Sequence, residues 1–171
     1  MATLAGRRFA VLTISDSVSG GRQPDTSGDA IAQLLAAQGA AVAARDAVPD
    51  DRSAIGVRLR AYADELRADL VLTTGGSGVA PRDVTPEATL EVVERVVPGL
   101  PEAARLRTMA TTPLAALSRG VAGIRGRTLI INLPGSPKGV REWLEVLLPI
   151  LPHALELLGE QAPPWGLPHA P

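Results

Sequence analysis

Leu70-Val71-Leu72-Thr73-Thr74-Gly75-Gly76-Ser77-Gly78 decides the fold. A continuous apolar run that stops at a glycine cluster reads as a buried parallel strand with a loop at its carboxyl end. The same pattern stands near the start of the chain. Arg8-Phe9-Ala10-Val11-Leu12-Thr13-Ile14 is an apolar run followed by the polar stretch Ser15-Asp16-Ser17. Between the two strands lie a helix, a strand and a second helix. Asp25 or Thr26 is the expected N-cap of the first helix, which puts Ile31, Leu34 and Leu35 on one face and Gly39 at C′. Residues 41–47 read as a strand. Pro49-Asp50-Asp51 leads into the second helix, with Ile55, Leu59, Tyr62 and Leu66 inward.

Beyond the glycine loop, Thr85-Pro86 reads as N-cap and N1, because proline costs nothing where an N–H is unpaired anyway. Glu87 adds favourable negative charge in the first turn, and Leu90, Val93 and Val97 continue an apolar face. Residues 98–117 read as short helical pieces broken by Pro101 and Pro113. Residues 120–124 and 128–132 flank Arg125-Gly126-Arg127 as two β segments that can pair as a hairpin, which makes one strand antiparallel. After Pro134-Gly135-Ser136-Pro137 comes a long helix with Val140, Trp143, Leu144, Leu147, Leu148 and Leu151 inward, which Pro149 and Pro152 should kink or divide. Residues 161–171 form a proline-rich tail, with Trp165 docking it. Strands alternate with helices, so the class is α/β with a mostly parallel sheet, in one domain spanning residues 1–160.

Composition narrows the function. The 171 residues suffice for a core without staples. Only 2% are aromatic, which leaves few platforms for stacking bases, and a net charge of −1 implies no basic face for duplex binding. Nucleic acid is therefore not the expected partner. With no cysteine, thiolate chemistry and Cys-ligated zinc are excluded. No apolar run reaches membrane-spanning length, and the 9–14 run is too short for a signal peptide, so a cytoplasmic protein with no membrane association is expected.

Ligands of open parallel sheets sit beyond the carboxyl ends of the strands. Three loops should share that edge: residues 15–25, the 75–78 loop, and residues 133–136. Closely spaced glycines let backbone N–H groups approach an anion, and Ser77 adds a hydroxyl. No Gly-Lys-Ser/Thr and no GxGxxG follows, so this is neither a P-loop nor a dinucleotide fingerprint. Taken alone, the loop fits a phosphate nest and a plain strand-to-helix turn equally well. Asp83 can support a helix start or hold a cation beside phosphate. Asp50, Asp16 and Asp25 read as caps or turn residues. Lys138 can meet an anionic ligand or stay solvated. His153 and His169 have no triad partners.

Together the loops resemble the MogA/MoaB-like molybdenum cofactor biosynthesis proteins. The resemblance rests on residues 72–78, then Arg82-Asp83-Val84-Thr85-Pro86-Glu87-Ala88, Ile14-Ser15-Asp16, Leu117-Ser118-Arg119 before Gly123-Ile124-Arg125-Gly126, and Asn132-Leu133-Pro134-Gly135-Ser136-Pro137-Lys138-Gly139. These run in the family's order up to about Gly159. The resemblance implies a three-layer α/β/α domain with a largely parallel sheet, commonly a homotrimer. It implies Mg2+-dependent transfer of AMP from ATP to the terminal phosphate of molybdopterin, giving adenylyl-molybdopterin and pyrophosphate. Asp50 and Asp83 would be the catalytic, metal-holding pair. Ser15, Asp16, Asp25, Thr74, Gly75, Gly76, Ser77, Gly78, Pro86, Asn132, Pro134, Gly135, Ser136 and Lys138 would bind the substrates. Other enzymes of the pathway would be its partners. Ser77 stands where the family often has Thr, and the hydroxyl is retained. The alternative is a non-catalytic paralogue that holds molybdopterin or its precursor.

Overall fold

The computed structural model describes residues 3–159; the proline-rich tail and Trp165 lie outside the described residues. Six strands form one sheet in the order β2-β1-β3-β6-β5-β4. They are β1 (Arg8–Ile14), β2 (Ala41–Val48), β3 (Leu70–Thr74), β4 (Arg95–Val96), β5 (Ala122–Arg125) and β6 (Thr128–Leu133). β1 pairs in parallel with β2 and β3, and β3 with β6. β5 runs antiparallel to both its neighbours, β6 and β4. The expected hairpin is present: only Gly126 and Arg127 separate the paired residues Arg125 and Thr128, and Gly126 takes the positive φ of 56° that so tight a turn needs.

Helices cover both faces. α1 (Asp16–Ser19), α2 (Thr26–Ala37), α3 (Arg52–Arg60), α4 (Thr85–Leu90), α5 (Gly99–Met109), α6 (Pro137–Leu147) and α7 (Leu151–Gly159) follow in chain order, with a π-helical turn at Ala61–Glu65 and a 3-10 turn at Pro113–Leu117. Strand side chains alternate between the faces. Phe9 and Val11 join Ile31, Leu35, Trp143, Leu144 and Leu147 in one core, under α2, α5, α6 and α7. Ala10, Leu12 and Ile14 join Ile55, Leu59, Tyr62, Ala88 and Val92 in the other, under α3 and α4. This is the expected three-layer sandwich. Asp25 caps α2 by accepting from the Gly28 N–H, and Gly39 follows with φ 82°. Pro149 stands between α6 and α7, so the long helix is divided as expected.

Several expectations are corrected. Val84, not Thr85, occupies the N-cap of α4, and Pro86 sits one residue further in. α4 stops at Leu90, which is exposed, and Val92 is the residue that reaches the core. The segment after it turns into the edge strand β4 instead of continuing as helix. Pro101 does not break α5, because it lies in the first turn where its missing N–H has no intrahelical partner to lose.

Candidate functional site

Because β2, β1, β3 and β6 are parallel, the loops that leave them meet at one edge. Chain direction diverges between β1 and β3, since β2 lies to one side of β1 and β3 to the other. That is the topological switch point, where the sheet leaves room for a ligand. The 75–78 loop sits there. Gly75 has φ 95° and Gly76 φ 63°, a conformation that disfavours any side chain. A Cβ on Gly75 would collide with the Ile14 carbonyl oxygen, and one on Gly76 with the Thr85 hydroxyl.

Neighbours fix the loop through its oxygens. The Thr85 hydroxyl donates to Gly75 O at 2.9 Å and the Thr85 N–H to Gly76 O at 3.0 Å, which explains why Thr85 is not available as a cap. Ser77 Oγ donates to Leu133 O at 3.3 Å, and the Arg119 N–H to Ser77 O at 2.7 Å. Among the described residues, the N–H groups of Gly76, Ser77, Gly78 and Val79 have no acceptor, nor do those of Gly135 and Ser136. Backbone donors left open beside a cleft are what an anion needs.

Two carboxylates flank this nest. Asp50 Oδ1 lies 3.2 Å from where a Cβ on Gly76 would stand, and Asp83 Oδ2 lies 2.9 Å from the corresponding point on Gly78. Asp83 Oδ2 accepts from the Ala80 N–H at 3.0 Å. Asp50 and Asp16 are bound reciprocally: each accepts the other's backbone N–H at 3.1 Å. Arg82 reaches Asp16 Oδ2 at 2.6 Å. Loss of solvent raises the pKa of Asp50 above the ordinary carboxylate value, and the nearby charges of Asp16 and Asp83 add to it, while the Asp16 N–H and Arg82 oppose them.

The remaining expected site residues divide into two groups. Ser15, Asp25, Thr74, Gly75 and Gly135 line a cleft of about 160 Å³. Ser77, Gly78, Pro134, Gly135, Ser136 and Lys138 line a second of about 290 Å³, with Trp143 and the 3-10 turn. Ser15 caps α1, and Ser136 caps α6. Asp25 is committed to the Gly28 N–H, the Thr13 hydroxyl and Arg45. Lys138 is largely exposed, 3.6 Å from Glu142. Asn132, Thr74 and Pro86 are buried in this structure. Asn132 is fully buried, with its amide donating to Thr73 and Thr89 and accepting from the Val121 N–H. The Thr74 hydroxyl is spent on Pro134 O at 2.6 Å. Pro86 is buried inside α4. Thr74 braces the 133–136 loop, and Asn132 ties β3, α4 and the approach to β5 together. Ser27 was not anticipated: its hydroxyl donates to Gly135 O at 2.7 Å and ties α2 to the 133–136 loop.

Fold and site together define an α/β protein with open backbone donors and flanking carboxylates at a topological switch point. The chain matches, over residues 10–153, the family described as "Probable molybdopterin binding domain", and it belongs to that molybdenum cofactor biosynthesis family. It is 43% identical over 152 residues to the molybdopterin adenylyltransferase of Helicobacter pylori, covering 88% of this chain and 86% of that protein. It is 44% identical over 153 residues to the molybdenum cofactor synthesis protein cinnamon of Drosophila melanogaster; this covers 89% of the chain but only 26% of that longer protein. The crystal structure of the molybdopterin biosynthesis enzyme MoaB from Thermus thermophilus superposes with a TM-score of 0.85 at 56% identity, covering 89% of this chain and 96% of that one.

Proposed function

We propose that this protein is a molybdopterin adenylyltransferase, joining AMP from ATP to the terminal phosphate of molybdopterin. One observation carries the reading: a row of open backbone N–H groups lies between two carboxylates at the sheet edge. The relative from Helicobacter pylori, which matches nearly end to end, bears the same activity in its name.

The chemistry suits the residues present. An oxygen of the molybdopterin phosphate attacks the α-phosphorus of ATP and forms the new P–O bond. The bond from that phosphorus to the α,β-bridging oxygen breaks, and pyrophosphate leaves with the electron pair. A phosphomonoester has its second pKa near about 6, so the nucleophile is already an anion and needs no general base. Positioning and charge neutralisation are what remain for the protein to supply. Gly76, Ser77, Gly78, Gly135 and Ser136 offer N–H donors to the phosphates, and Lys138 offers a flexible cation at the mouth of the larger cleft.

The donor set fits Mg2+. Among the described residues no three Asp, Glu, His or Cys side chains gather to hold a metal by themselves. Mg2+ commonly uses only one or two carboxylates and takes its other ligands from phosphate and water. Asp83 and Asp50 would hold it, and when bound it would offset triphosphate charge. A homotrimer, a cytoplasmic location and hand-over of the product to other pathway enzymes belong to the same proposal. Incubation with ATP, Mg2+ and molybdopterin is expected to release pyrophosphate and yield adenylyl-molybdopterin. A folded protein that binds molybdopterin yet forms no adenylyl product would leave only the binding role.

A further inference from the structure

We infer that Arg119 is a positioning residue that sets the phosphate nest from behind, a role that rests on the adenylyltransferase reading. Arg119 precedes β5, more than forty positions from the loop in sequence, yet it gathers three carbonyls around itself. Its backbone N–H donates to Ser77 O at 2.7 Å, its Nε to Gly78 O at 2.7 Å and its Nη2 to Asp83 O at 2.7 Å. The remaining arm of the guanidinium pairs with Glu87 on α4. The pairing is electrostatically mutual: the hydrogen bond that Arg119 donates to Glu87 raises the arginine's pKa, and the arginine lowers that of Glu87.

A trans peptide carries its C=O and the following N–H in opposite directions. Drawing Ser77 O and Gly78 O towards Arg119 therefore turns the Gly78 and Val79 N–H groups away from it. Those are two of the donors without an acceptor among the described residues. Ser77 and Gly78 line the larger cleft, while Arg119 is not among the described residues that do so. The arginine thus orients the donors without touching a ligand. Through Asp83 O it also ties the backbone of one carboxylate to the same loop.

Arg119 is itself seated. Arg105 on α5 donates through Nη1 to Ser118 O at 3.3 Å and to Gly120 O at 2.9 Å, on either side of Arg119. The Asn132 side chain accepts from the Val121 N–H at 3.2 Å. The buried arrangement around β6 is in this way connected to the geometry of the nest. A lysine could keep the charge beside Glu87 but lacks the planar fork that meets two carbonyls and a carboxylate together.

The test uses inorganic pyrophosphate as a probe of the nest, measured by calorimetry on the full chain, alongside the kinetics of adenylyl transfer. Thermal unfolding and circular dichroism establish that each variant is folded. Arg119→Ala is expected to weaken pyrophosphate binding by about 10- to 100-fold, in line with the loss of charge-assisted hydrogen bonds. Arg119→Lys should recover little of that binding, although it retains the charge and serves as the folded variant if the alanine form does not fold. Added guanidinium at millimolar concentration should partly rescue Arg119→Ala. Wild-type affinity in a folded Arg119→Ala protein, or full rescue by lysine, overturns the proposal; so does a wild type that does not bind pyrophosphate. A wild type that binds the probe in an Arg119-dependent way but makes no adenylyl product refutes the enzymatic reading and leaves the nest-setting role standing.

Discussion

The two edges of the sheet differ in how their polar groups are spent. At the amino-terminal edge, a cleft of about 460 Å³ lies among Arg8, Asp64, Arg67, Asp69, Arg127 and Thr128. It is larger than either cleft at the carboxyl edge, and more richly charged. Yet most of its groups are occupied with closing the fold. Arg8 donates to Leu66 O, Thr128 to Ala68 O, and Arg127 to Leu158 O and Gly159 O at the end of α7. At the carboxyl edge the clefts are small, but loop N–H groups stand open and carboxylates crowd together. Size and charge count do not distinguish the two; unspent donors and electrostatic crowding do.

Substitutions can break or sharpen that contrast. The largest effect is expected from Asp83→Asn, which should lower kcat/KM for adenylyl transfer by at least about 100-fold, the scale of lost electrostatic stabilisation in a preorganised site. Its unfolding temperature should stay close to wild type. An active Asp83→Asn enzyme would remove Asp83 from the assigned pair.

Gly75→Ala should damage both function and fold. It forces a side chain into φ 95° and against the Ile14 carbonyl, so stability should fall by about 2 kcal/mol or more in chemical denaturation.

Asp50→Asn should separate function from stability. The folded-state pKa of Asp50 is raised, so between the unfolded and folded values the folded chain binds more proton than the unfolded chain. Stability from this group is present at low pH and is lost as pH rises through the raised value. In metal-free buffer at neutral pH, Asp50→Asn should therefore unfold at a higher temperature than wild type. The gap should close as pH falls, while adenylyl transfer is lost. An unfolding temperature below wild type at neutral pH would contradict this.

The smallest effect belongs to the other edge. Arg127→Ala should cost about 1 kcal/mol of stability, the value of an ordinary hydrogen bond, and leave turnover unchanged. A change in turnover would mean that the two edges are coupled.

Sequence patterning revealed what depends on local periodicity. The apolar runs of β1, β3 and β6 were legible because strands buried on both faces need no polar alternation. The Pro149 break and the Gly126 hairpin were legible because each follows from one residue's own stereochemistry. β4 was not, since two residues make no pattern and its pairing with β5 is a tertiary event. The start of α4 was misplaced by one residue because the Thr85 hydroxyl is drawn to a loop carbonyl that no local rule anticipates. Within the site, resemblance marked Asn132 and Thr74 among the substrate-binding positions, but distant partners determine that both face inward. Arg119 appeared only as part of a matching motif. Its work is done across more than thirty residues, where spacing in sequence carries no signal.

Trp143 offers an unplanned convenience. It is buried at 1% exposure in the core under α6 and also forms part of the wall of the carboxyl-edge cleft of about 290 Å³. The chain has one other tryptophan, Trp165. Replacing Trp165 by phenylalanine would leave a single indole, placed where filling the cleft changes its surroundings, and so give the protein an intrinsic fluorescence signal for occupancy that needs no label.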